Sequence, residues 1–352
     1  MRITGYINGN YIVKRLSYCQ FPAMIKTALR VDEELCPAFP DSIDIKISNK
    51  CKWGCKFCHE SSVPDGNILD VNKTISILSQ LPEDTGIELA IGGGNILESI
   101  DEIMPFINWA KEYGFLLRCT LNYRDVLNLS EREKEFLQNF SGIGISIDRL
   151  AEDVYLALKA WNISNRRTSN SFRIRLTDLN YPKKIGLYVH PRDKFNINGD
   201  LNLKFTVGND VIDEFEKNVV FHVIAGIIPP EHLRELILSE NPILVLGYKQ
   251  WGRAINDTLP DMTETKQVIK ETLDTLPWAV LGFDNLALDQ LGVRDMIPKD
   301  KMENIYLGDE GTYSMYIDAV KEEYAKTSRS KERISWDNIG LIDFFKDDSI
   351  AV

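Results

Sequence analysis

Ile43-Asp44-Ile45-Lys46-Ile47-Ser48 decides the fold. Successive side chains of a strand point to opposite faces, so the three isoleucines share one face and Asp44, Lys46 and Ser48 share the other. The same alternation recurs downstream. Ile87, Leu89 and Ile91 oppose Glu88, Ala90 and Gly92, and Ile143, Ile145 and Ile147 oppose Gly142, Gly144, Ser146 and Asp148. Phe172, Ile174 and Leu176 likewise oppose Arg173, Arg175 and Thr177. Further strands are expected over 115–121, 219–225 and 243–248, with helical periodicity between most of them, as at 71–80, 100–113 and 231–238. Strands alternating with helices build βαβ units and a parallel sheet. A flat, doubly wound sheet buries both faces and wants strands that are apolar throughout. One greasy face and one small or charged face instead predict an α/β fold, a partial (β/α)6 TIM-type barrel with helices outside and a polar lumen. An antiparallel sheet with one wet face is the alternative, and the interleaved helices argue against it.

On either side of this core, residues 1–40 read as an N-terminal extension, with a hairpin of 3–7 and 11–14 around Asn8-Gly9-Asn10. The barrel core is expected over 41–255, and a C-terminal extension over 256–352 closes or flanks it. In that extension, 308–318 reads as a turn and a strand, followed by a helix near 319–325. The strands possible at 185–190 and 201–206 flank a turn-rich stretch. Nothing approaches the roughly 18 consecutive apolar residues of a membrane span. The first residues alternate like a strand and lack the apolar core of a signal peptide, so a cytoplasmic protein without a membrane partner is expected. The net charge of −11 argues against extensive nucleic-acid binding, though not against a small basic pocket. The basic run 326–333 is the one place in this acidic chain that suggests such a pocket; a solvated loop is the plainer reading.

Six cysteines are too few for a disulfide scaffold of this length, and three of them fall within eight residues. They stand in Cys51-Lys52-Trp53-Gly54-Cys55-Lys56-Phe57-Cys58-His59, directly after the first barrel strand. That is the carboxyl end, where barrels place their chemistry. Clustered thiolates select zinc or iron–sulfur clusters. A structural zinc site wants four closed ligands. A [4Fe–4S] cluster has four irons to ligate, so three cysteines leave one iron open. The competing reading is a zinc loop completed by His59 or Cys36, which would make the chain a non-catalytic binding barrel.

C-x3-C-x2-C after the first strand of a partial barrel resembles the signature of the radical S-adenosylmethionine superfamily. The resemblance covers about residues 41–255. It implies that Cys51, Cys55 and Cys58 hold a [4Fe–4S] cluster whose open iron is chelated by the methionine moiety of S-adenosylmethionine. Reductive cleavage would then give a 5′-deoxyadenosyl radical that abstracts hydrogen from a substrate, with flavodoxin or ferredoxin as electron donor. Phe57 matches the aromatic near the adenine. Gly93-Gly94-Asn95 resembles the family's Gly-Gly-Glu segment, with asparagine in place of the acid, so its contact with the cofactor's amino group would lack charge assistance. Ser146 and Asp148 match the ribose and carboxylate contacts, or cap the segment that follows. Arg173 and Arg175 pair either with the cofactor carboxylate or with Glu88 and Asp44. Ile227 and Leu246 match the fifth- and sixth-strand segments that flank adenine, and Tyr248, Lys249 and Arg253 would then face the active-site mouth. Cys119, on the opposite face from Asn122, is expected in the core. No cysteine lies beyond residue 278, so the auxiliary-cluster domain of many peptide-modifying relatives is expected to be absent. The substrate reading placed first is a peptide or protein side chain; a nucleotide, RNA base or other small metabolite is the alternative.

Overall fold

Apolar side chains at every second position are what the barrel strands bury. A computed structural model of the chain describes residues 2–17, 23–126, 129–149, 218–238, 242–276, 279–306 and 308–350. Arg2–Asn8 (β1), Tyr11–Ser17 (β2) and Ala23–Ala28 (β3) form a three-stranded antiparallel sheet. The hairpin turns at Gly9 and Asn10 as expected, and β3 is a third strand not foreseen. Ser42–Ser48 (β4), Glu88–Gly93 (β5), Leu116–Asn122 (β6), Gly142–Ser146 (β7), Asn218–Ile224 (β8) and Ile243–Leu246 (β9) pair in parallel in that order. These are the six strands of a partial barrel. Leu281–Phe283 (β10) extends the parallel run beyond β9, and Ser314–Asp318 (β11) extends it beyond β4. Glu323–Ala325 (β12) and Ile334–Ser335 (β13) complete a ten-stranded sheet in antiparallel fashion.

Ile43, Ile45, Ile47, Leu89, Ile91, Leu117, Cys119, Ile143, Ile145, Phe221, Val223, Ile243 and Val245 are all buried in one continuous core, the face packed beneath the helices. Each fully buried Ile or Leu contributes roughly 1.5–3 kcal/mol. The intervening Glu88, Arg118, Asn122, Ser146, His222 and Leu246 are half-buried, because they line a lumen that solvent enters. The helices obey the same logic. In Ile100–Glu112 (α2), buried Ile103, Phe106, Ile107 and Ala110 recur at helical spacing. Val71–Leu78 (α1) starts where the Asp70 side chain accepts from Lys73 N, and Glu131–Leu137 starts at a capping box of Ser130 and Glu133. Among the described residues no helix is long and apolar enough to cross a membrane.

One expectation is corrected. The stretch 319–325 is not a helix: residues 319–322 form a turn, with Glu322 at φ 61°, and β12 then folds back on β11. Tyr324 and Ala325 are buried in that hairpin, where a strand exposes backbone for pairing and a helix would not. The strand expected at 172–177, with those at 185–190 and 201–206, lies outside the described residues. Among the described residues, β7 and β8 are hydrogen-bonded to each other directly.

Candidate active site

The cysteine loop leaves β4 and is held at both ends by backbone bonds. Cys51 N donates to Val63 O and Cys58 N to Cys55 O. Gly54 takes φ +59°, a conformation that favours glycine, and reverses the loop between Cys51 and Cys55. All three cysteines are half-buried. Burial pushes the Cys51 and Cys55 thiols up, and the charge of Cys58 would raise both further. Arg124 pulls Cys55 the other way. Among the described residues, no three His, Cys, Asp or Glu side chains converge closely enough to hold one metal ion. A zinc ion with Zn–S bonds of about 2.3 Å demands that convergence, whereas a four-iron cubane bound through three separate corners does not. His59 turns away from the thiols: its Nε2 lies 3.2 Å from Glu60 Oε1, and Cys36 is exposed on the loop that follows β3. The donor set therefore fits a cluster better than a closed zinc site.

Arg253 spans the loop from below. Its backbone N donates to Cys58 O at 3.0 Å, its Nη1 to Cys55 O at 2.9 Å, and its Nη2 to Ser62 O. Gly252 is pressed so tightly on the carbonyls of Cys58 and His59 that a Cβ there would overlap them. Arg253 thus faces the cysteine loop rather than an open mouth. Tyr248 is buried with its hydroxyl donating to Asp257 at 2.7 Å, so it too is withdrawn from the mouth, while Lys249 stays half-buried in it.

At the top of β5, Gly93 and Gly94 lie against the backbone of Ser48 and Lys50, and Gly94 N and Asn95 N donate to Ser48 O and Lys50 O. The glycines here permit close approach of two backbones. Asn95 is buried and fully engaged within the protein: its Oδ1 accepts from Leu97 N at 3.1 Å as a helix cap, and its Nδ2 donates to Glu98 Oε1 at 3.1 Å and Asp125 Oδ2 at 3.2 Å. Trp53 Nε1 also donates to Asp125 Oδ2, at 2.8 Å. Burial raises Asp125 above the ordinary carboxyl range, and Trp53, Lys52 and Asn95 oppose that rise.

One pocket gathers Phe57, Asn122, Ser146, Ile147, Asp148, His222, Ile224 and Ile227. Phe57, Ser146, Asp148 and Ile227 were expected from the sequence; Asn122, on the lumen side of β6, brings its Nδ2 to 4.0 Å from Cys55 Sγ. Asp148 Oδ2 accepts from Arg124 Nη2 at 3.2 Å, while Oδ1 is buried and accepts nothing among the described residues. Buried oxygens without a partner are costly, and a ligand hydroxyl would relieve this one. Leu246 is half-buried on the lumen face of β9 and is not among the residues that line the pocket. Cys119 is in the core. Arg173 and Arg175 lie outside the described residues.

His222 was not foreseen. Its sequence signal was a lone histidine in the otherwise apolar run Val219-Val220-Phe221-His222-Val223. Its register neighbour is Ser146, and its ring lies over Gly144, where a Cβ would overlap it. Burial, helped by Arg118, lowers its pKa to about 4, so the imidazole is neutral near pH 7.

No family model matches the chain. A stretch of 125 residues, 35% of this chain, is 28% identical to an S-adenosylmethionine-dependent nucleotide dehydratase from Selenomonas ruminantium; the match spans 44% of that relative, less than half its length. In structure the chain is similar to Streptococcus suis SuiB bound to S-adenosylmethionine, with a TM-score of 0.52 and 15% identity over 90% of this chain and 67% of that one. SuiB bound to its precursor peptide SuiA gives a TM-score of 0.52 at 15% identity, over 89% of this chain and 66% of that one. At this identity the likeness is one of fold.

Proposed function

We propose that this chain, whose fold and cysteine motif are those of the radical S-adenosylmethionine enzymes, holds a [4Fe–4S] cluster on Cys51, Cys55 and Cys58 and binds S-adenosylmethionine in the adjoining pocket. Held by Cys51, Cys55 and Cys58 and reduced by an external donor, such a cluster would supply the one-electron reduction that cleaves S-adenosylmethionine. The chain's own residues bind and orient. Phe57, Ile224 and Ile227 offer apolar surface to the adenine, Ser146 and the unpartnered Oδ1 of Asp148 receive the ribose hydroxyls, and Arg124 fixes Asp148 from behind. The negative charge that Asn95 lacks is carried by Glu98 and Asp125, which Asn95 orients through its amide. A reductant of the flavodoxin or ferredoxin class would serve as donor.

The observation that carries this reading is the pocket itself, which brings Phe57, beside Cys58, together with Ser146, Asp148 and Ile227 from distant segments. Anaerobic reconstitution with iron and sulfide should give a brown protein absorbing near ~400 nm, as iron–sulfur thiolate sites do. With dithionite and S-adenosylmethionine it should form 5′-deoxyadenosine, and Cys55→Ala should abolish this. A colourless protein with one zinc, or equal 5′-deoxyadenosine from the variant, would refute the reading.

For the substrate, a peptide side chain was the first expectation from sequence. The match to a nucleotide dehydratase favours a nucleotide instead. We take the nucleotide as the substrate class. Stimulation of 5′-deoxyadenosine formation by nucleotides, set against a panel of peptides, decides between them.

A further inference from the structure

The lumen holds a second group of residues, between β9 and the β11–β12 hairpin, that the cofactor pocket does not use. Two cations meet at Ser328. Lys249 Nζ donates to its Oγ at 2.9 Å and Arg333 Nη2 to its carbonyl oxygen at 2.8 Å. Lys249 follows the top of β9; Ser328 and Arg333 belong to the basic run 326–333. The Arg333 guanidinium lies 4.8 Å from the centroid of the Tyr316 ring, and Tyr316 pairs in register with Asp44 of β4, which opens onto the lumen. All three residues are half-buried.

Several other cations of the sheet and its flanking loops are neutralised at contact. Lys46 meets Glu60 at 2.9 Å and Asp318 at 3.1 Å, Arg118 meets Glu88 at 3.0 Å, and Arg329 meets Glu310 at 2.8 Å. Among the described residues neither Lys249 nor Arg333 has a carboxylate oxygen within 4.0 Å. Asp44 and Asp284 feel Lys249 only from further off. Partly desolvated cations without a counter-ion are costly, and a bound anion offsets that cost. A planar guanidinium fork beside a compact ammonium and a hydroxyl is a donor set suited to phosphate oxygens.

We propose that Lys249, Ser328 and Arg333 form the subsite that binds the phosphates of a nucleotide substrate at the barrel mouth. The nucleotide identity rests on the substrate reading above; the unneutralised cation pair does not. The test is calorimetric titration of ATP, CTP, GTP and UTP, their nucleosides and sodium tripolyphosphate into the anaerobically reconstituted full chain, at low and at high salt. At least one triphosphate should bind, more than tenfold tighter than its nucleoside and more weakly at high salt. Tripolyphosphate should displace it. Lys249→Gln and Arg333→Gln should each weaken binding at least tenfold, and Arg333→Lys should recover part of the loss. Affinity for S-adenosylmethionine and the melting temperature should stay unchanged in these variants. Failure of all four triphosphates to bind, binding that survives both glutamine substitutions, or binding that tripolyphosphate cannot displace would overturn the proposal. Should a glutamine variant fail to fold, Arg333→Lys and the displacement of nucleotide from the wild type still decide. Binding requires no electron transfer, so a chain that binds nucleotide but forms no 5′-deoxyadenosine refutes the radical reading and leaves this one standing.

Discussion

The imidazole of His222 lies over Gly144 and lines the pocket that also holds Phe57 and Asp148. Its pKa falls from 6.5 to about 4, chiefly through burial. The folded state therefore resists protonation that the unfolded chain accepts, and stability present above pH 6.5 is lost as pH falls towards 4. The loss should reach on the order of 2–3 kcal/mol near pH 4.5. Urea melts of the wild type and His222→Gln at pH 7.5 and 4.5 check this: the wild type should lose more stability between the two pH values by about that amount. Equal losses would show that His222 does not titrate as its surroundings imply. Gly144→Ala should cost roughly 1–3 kcal/mol, because the added methyl overlaps the His222 ring and forces it to shift. Neither role was legible in the sequence. A glycine in a strand and a histidine in an apolar run acquire meaning only when β7 and β8 are adjacent, and 71 residues separate Ser146 from Asn218. The cysteines were legible because their spacing is local. Asn95 was legible in position, but a sequence does not show that Leu97, Glu98 and Asp125 engage its amide.

At the scale of elements, the turn after β9 acts as a clasp for the cysteine loop. Arg253 donates three hydrogen bonds to carbonyls at Cys55, Cys58 and Ser62, almost 200 residues away in sequence. Arg253→Gln keeps the backbone bond to Cys58 O but removes the guanidinium donors to the Cys55 and Ser62 carbonyls, and should loosen the loop. Reconstituted protein should then lose iron several-fold faster to a chelator, followed as decay of absorbance near ~400 nm, and Arg253→Lys should be intermediate. Unchanged iron loss in Arg253→Gln would mean that the loop holds its shape alone. The barrel strands themselves were readable from alternation, because one face is fully buried and the other is wet. The hairpin of β11 and β12 was not. Glu323-Tyr324-Ala325 has no alternation long enough to distinguish strand from helix, and its partner β11 supplies the decision.

Across the whole molecule, one buried carboxylate fastens the N-terminal sheet to the barrel. Asp41 precedes β4 and accepts from Tyr6 Oη at 2.9 Å, Asn8 Nδ2 at 2.8 Å and Tyr11 Oη at 2.8 Å, and Lys26 Nζ lies 2.8 Å away. Asp41→Ala removes the shared acceptor of Tyr6, Asn8 and Tyr11 and the carboxylate beside Lys26, and should destabilise the chain by about 3–5 kcal/mol. Hydrogen exchange should show residues 2–28 losing protection before the barrel does; uniform loss would mean that the two parts unfold as one. A different consequence attends the Lys46–Asp318 pair, whose members are 272 residues apart. The first barrel strand gains its second neighbour, β11, only after nearly the entire polypeptide has been synthesised. Until then its outer edge offers unpaired amides to any passing strand. Long-range pairing of this kind favours slow, late assembly of the sheet, and a ribosome still translating residue 300 carries a nascent chain in which that edge has not yet met its partner.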